Sequence, residues 1–145
     1  MAADGGTILA TNKDFQDHGS SIDMMLVRNE FATQYPDALV SVLKAENDSI
    51  NELKTGGDAA LQKMADYLKI SLDEAKKEFG GIQLMNAEEQ LSENGLGKGD
   101  GVANSRITKA LIAAGQYLVG VGSIKAAPDN IPQYIDTSYI ERLGQ

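Results

Sequence analysis

Every apolar run with strand character lies before residue 28, and every periodic segment after Pro36 has helical spacing. That order restricts the fold more than any other feature of the chain. Thr7 to Ala10 (TILA) follows Gly5-Gly6 and reads as a strand leaving a turn. Ile22 to Val27 (IDMMLV) is the stronger candidate. It lies between turn residues and Arg28-Asn29, and its length suits a buried strand better than a helix. Two early strands followed by about five helices cannot close a doubly wound sheet alone, because parallel strands need crossover connections. The remaining strands are expected to come from elsewhere.

The helical part has clear punctuation. Pro36 suits the first position of a helix, where its missing N–H removes no bond, and Asp37 adds favourable charge to the first turn. Leu39, Val42, Leu43, Glu46, Ile50 and Leu53 keep a mostly apolar face until Gly56-Gly57, which predicts one helix over 36–55. Asp58 is expected to cap a second helix carrying Leu61, Met64, Ala65 and Leu68. Ser71 and Glu74 have capping-box spacing and open a third helix to about Phe79; Asn86 to Glu89 repeats the pattern before a further turn of helix. Gly95 to Gly101 (GLGKGDG) reads as a flexible connector. Ile107, Leu111, Ile112, Ala114, Leu118 and Val119 mark a fifth helix that stops around Gly120 to Gly122, and Tyr139, Ile140 and Leu143 form a last amphipathic turn.

Charge and composition exclude several functions. At 145 residues the chain is long enough for one domain with its own core. A formal net charge of -8 works against nucleic acid and anionic lipid, so an anionic ligand would need local donors. No apolar run approaches the roughly 20 residues of a membrane span. The absence of cysteine excludes disulfides, thiolate zinc sites and a cysteine nucleophile, and a single histidine excludes multi-histidine metal sites. GLGKGDG matches neither phosphate-loop spacing and follows no strand. Ser41 and Lys44 spell S-x-x-K without its partner motifs, which makes Ser41 a solvated helix residue. Capping and the helix dipole explain Asp73-Glu74 and Glu88-Glu89 without a general acid and base.

Asp23 is the anomaly. A carboxylate inside an apolar strand is unfavourable unless it meets a cation or hydrogen-bond donors. Two readings follow from the physics: a structural ion pair, for instance with an arginine, or a partner for a cationic group of a ligand.

The stretch His18 to Asp37, HGSSIDMMLVRNEFATQYPD, resembles the solute-binding proteins of nitrate, sulfonate and taurine ABC importers. There a small-residue turn leads into D-x-x-x-V-[RK], then F-A-x-x-x-P and a long helix. The taurine-binding members are most similar, since Gly19-Ser20-Ser21-Ile22-Asp23 falls where they carry a small-residue turn closed by an aspartate. The resemblance covers nearly the whole chain but only part of the usual protein. It implies an α/β protein: the helix-rich carboxyl-terminal portion, with few strands, of a type II periplasmic-binding-protein fold. Residues 1–30 would be the strand and hinge-proximal part and 31–145 the helical part. Met1 to Asp4 shows no secretory signal, which on this reading lies upstream.

The resemblance also implies a function: capture of a small sulfonate such as taurine in the periplasm or at the cell surface, for delivery to an ABC permease. It implies no chemistry on the ligand, no cofactor, no metal and no nucleic-acid partner, and membrane contact only through the permease or an outside anchor. Asp23 would meet the ligand ammonium, Ser20 and Ser21 would donate to its oxygens, and His18 would wall the cleft where relatives carry an aromatic residue. Gln90 aligns with a family glutamine, but reads more simply as a helix-surface residue. His18 and the Ser20-Ser21 pair depart from the family pattern, which leaves nitrate, bicarbonate or a thiamine-precursor pyrimidine open as ligands. The rival reading is a helical protein–protein interaction module that binds nothing small.

Overall fold

The computed structural model describes residues 6–12, 14 and 22–144. Among these residues seven α-helices follow one another: α1 Asn29–Gln34, α2 Pro36–Thr55, α3 Gly57–Leu68, α4 Leu72–Phe79, α5 Ala87–Gln90, α6 Arg106–Gly120 and α7 Ser138–Glu141. Short 3-10 turns at Gly99–Asn104, Ile131–Tyr134 and Arg142–Gly144 link and end the later ones. Among the described residues there is no strand, which corrects the α/β expectation to a small all-helical fold.

Both predicted strands fail for the same physical reason. A helix satisfies its own backbone, whereas a strand needs a neighbour, and two short strands make a marginal sheet even when paired. Thr7 to Ala10 and Ile22 to Val27 have no regular structure, and no backbone hydrogen bond ties residues 22–27 to other described residues. Their side chains stay largely in solvent: Leu9 is 94% exposed and Leu26 88%.

The long helix forms as its sequence dictates. α2 starts with proline at its first position and Asp37 in its first turn, and closes with the Gly56 N–H on the Glu52 carbonyl at 2.7 Å. Its inner face buries Leu39 and Ile50 and half-buries Leu43 and Leu53; Val42, expected on that face, is exposed. α3 turns back along α2 and carries α4, with Ala60, Ala65 and Ala75 at the contact, where small side chains let the backbones approach. The expected Asp58 cap is not made: Gly56 is the N-cap of α3, and the Asp58 carboxylate instead accepts from Lys76 Nζ at 2.8 Å. Both capping boxes form, Ser71 with Glu74 on α4 and Asn86 with Glu89 on α5.

At the other end α7 packs on α2, burying Ile140, while α6 packs on the 3-10 turns through Val102, Ile107 and Ala110. The core is thin. Among the described residues its buried apolar side chains are Leu39, Ile50, Val102, Ile107, Ile140 and the alanines at 60, 65, 75 and 110. Much apolar surface therefore faces water, including Met24, Met25, Leu26 and Val27 ahead of α1 and Tyr117, Leu118, Val119 and Val121 at the end of α6.

Candidate ligand-binding site

Asp23 is exposed, at the head of the unpaired run that leads into α1. Seven ion pairs form among the described residues, and Asp23 belongs to none of them; Arg106, a cation that could have neutralised it, gives its Nε–H to the Asn94 carbonyl at 2.9 Å. The burial expected of this carboxylate is therefore corrected, because the run pairs with no strand among the described residues, and no structural ion pair forms with any of them. His18, Ser20 and Ser21 lie outside the described residues.

Among the described residues two concave surfaces stand out, and neither is lined by Asp23. The first, about 340 Å³, lies between α2, α3 and α4 under Leu53, Leu61, Phe79, Ile82 and Leu84, with Lys54 and Lys76 at its rim. Neither ammonium is available to an anion. Lys76 is bound to Asp58, while Lys54 holds the Glu89 carboxylate and the Leu84 carbonyl. The second, about 660 Å³ and more open, lies between the Gly99–Asn104 turn and the 130–141 segment. Two of its acids are engaged locally, Asp136 Oδ1 accepting from the Ser138 N–H at 2.9 Å and Glu141 taking the Thr137 hydroxyl at 3.0 Å and Lys98 at 3.3 Å, while Asp100 pairs with no described residue. Among the described residues no group of three metal-ligating side chains converges.

The most elaborate polar cluster joins α2 to α5. Asn47 Oδ1 accepts the Ala87 N–H at 2.8 Å, Asn51 Oδ1 accepts from Asn86 Nδ2 at 3.0 Å, and Lys54 grips Glu89. The Lys54 ammonium, with help from the Asn86 N–H, holds the Glu89 carboxyl below its ordinary range. Positions 47, 51 and 54 are successive turns of one helix face, a polar stripe beside the apolar one. That spacing was present in the sequence and is the signal by which these residues could have been found. The cluster fastens a connection and offers no free group to a ligand.

The glycine loop is a built turn rather than a mobile connector. Leu96 N–H donates to the Gln90 carbonyl at 2.6 Å, and Gly97 N–H to the Ser92 carbonyl at 3.0 Å. The first N–H groups of α6 are already satisfied: Arg106 by the Glu93 carbonyl at 2.9 Å, Ile107 by the Gly95 carbonyl at 3.2 Å and Thr108 by Ser105 Oγ at 3.2 Å. A helix start so occupied has nothing left for a phosphate. Gln90 is half-buried, with Nε2 donating to the Met85 carbonyl at 2.8 Å, and serves the same turn instead of sitting free on a helix surface. Ser41 is exposed and gives its hydroxyl to the Asp37 carbonyl at 2.7 Å, while Lys44 pairs with Asp48, so S-x-x-K is a helix surface as expected. In comparisons with known proteins no family model, no curated protein and no solved structure matches this chain.

Proposed function

We propose that this chain belongs to the capture component of an ABC importer for a small sulfonate such as taurine, acting outside the cytoplasmic membrane, with Asp23 facing the ligand ammonium. The observation that carries the reading is the state of residues 22–27: an acid with no ion-pair partner among the described residues heads an apolar run that those residues leave uncovered, with Met24 and Met25 each 49% exposed. A run of that kind is favourable only against a second surface, and a cleft closed from two sides supplies one. Ser20, Ser21 and His18 precede the acid and would supply hydroxyl donors and a wall. The partners are then the ligand and the permease, and no cofactor takes part.

A helical interaction module is the second reading, favoured by the all-helical fold and by the apolar end of α6. A thermal-shift series on the full product of the gene separates the two. A ligand that binds the folded state at a hundred times its dissociation constant stabilises by about 2.7 kcal/mol. Capture predicts a concentration-dependent rise in melting temperature with taurine and little with glycine or chloride. No rise with taurine, other sulfonates, nitrate or bicarbonate would leave the interaction module.

A further inference from the structure

The hydroxyl of Tyr139 on α7 donates to the backbone carbonyl of Ala32 in α1 at 3.2 Å, across 107 positions of sequence. That carbonyl is a particular one. In a continuous helix its donor would be the N–H four residues on, at position 36, and position 36 is proline, which has none. The Phe31 carbonyl before it receives Tyr35 N–H at 2.8 Å, and beyond the break the Tyr35 carbonyl receives Leu39 N–H at 3.1 Å. The break falls at Tyr35, whose φ of -131° and ψ of 55° are not helical, so α1 and α2 meet at an angle.

We infer that Tyr139 takes the place of the N–H that Pro36 lacks, and that α7 is thereby a latch setting the angle between α1 and α2. α1 has six residues and buries none, so its own packing does little to hold it. The latch is anchored independently of that bond: Ile140 is buried, and Arg142 pairs with Asp37 in the first turn of α2 at 2.6 Å. Because residues 22–28 run directly into α1, its angle decides where Asp23 is presented; only this consequence rests on the proposed function. The carboxyl-terminal turn is thus a positioning device for a segment more than a hundred residues away.

A double-mutant cycle read by amide exchange tests the inference on the 145-residue chain. Tyr139→Phe keeps the ring and removes the hydroxyl. It should raise exchange at residues 32–35 by about tenfold and leave residues 40–55 of α2 unchanged, since one hydrogen bond to a half-buried carbonyl is lost. Pro36→Ala restores a donor for the Ala32 carbonyl, and in that background Tyr139→Phe should change exchange at residues 32–35 by less than about twofold. Equal effects in both backgrounds, no effect in the parent, or a rise spread evenly over α2 would each overturn the latch. No ligand enters the measurement, so its failure would leave the capture reading standing.

Discussion

Alanine at Gly95 should be among the most damaging small substitutions in the chain, although it adds one methyl group to what reads in sequence as a flexible loop. A Cβ there would lie 2.4 Å from the Gln90 carbonyl oxygen, 2.7 Å from that of Glu89 and 2.8 Å from the Gln90 carbonyl carbon. All three are backbone atoms, so no side chain can swing aside. The same turn carries the 2.6 Å bond from Leu96 to Gln90 and the Gly95 carbonyl that receives Ile107, so relieving the clash breaks the link to α6. Overpacking of this kind typically destabilises by about 2–3 kcal/mol. At roughly 4 °C per kcal/mol for a chain of this size, Gly95→Ala should melt about 8–12 °C below the parent. Gly101→Ala is the control, because a Cβ there meets nothing within 4 Å and the backbone φ is not positive. It should fall within about 0.5 kcal/mol of the parent, or gain slightly from a stiffer unfolded chain. Calorimetric scans of the three proteins decide the matter, and similar melting temperatures for both variants would refute the clamped turn.

The α2–α5 junction yields two further expectations. Asn86→Ala removes the cap on the Glu89 N–H and the bond to Asn51, and should reduce stability in urea by about 2 kcal/mol; a change below about 0.5 kcal/mol would show that water replaces both bonds. Glu89 titrates below its usual value because Lys54 and the Asn86 N–H favour its charged form. Its contribution is therefore complete above the unfolded carboxylate range and is lost as pH falls through its own lowered value. Stability against pH should accordingly fall less steeply for Glu89→Gln than for the parent below about pH 4.3, and parallel curves would contradict this.

Helices were readable wherever start and stop signals agreed with an apolar period. Pro36, Leu39, Ile50 and Gly56 define α2 without tertiary help, and the boxes at Ser71 and Asn86 place α4 and α5. Asp58 has a capping residue's chemistry, but the chain enters α3 directly from Gly56-Gly57, leaving the carboxylate to Lys76 from another helix. The strands were misread because period and residue type describe only one side of a pairing: Ile22 to Val27 has strand composition and no partner strand among the described residues. Gly95 and Gly97 looked mobile because glycine marks both slack loops and backbone too crowded for a side chain; contacts with Gln90 and Gly101 distinguish the two. As for the candidate site, the sequence singled out Asp23 as an acid with no obvious mate, whereas the neighbourhood of His18, Ser20 and Ser21 lies outside the described residues. The Tyr139 contact with Ala32 could not be read at all, since only the fold brings those positions together.

The capture reading stands on the charge of Asp23, and isothermal titration of the full gene product isolates that charge. Taurine and ethanesulfonate share the sulfonate and differ in the ammonium. Asp23→Asn should weaken taurine by about 2 kcal/mol or more, an ammonium in a closed cleft having lost its counter-charge, and should hardly affect ethanesulfonate. The 145-residue chain alone should bind neither tightly. Equal losses for the two ligands, or undiminished taurine binding by the variant, would contradict the assignment of Asp23 to the ligand ammonium.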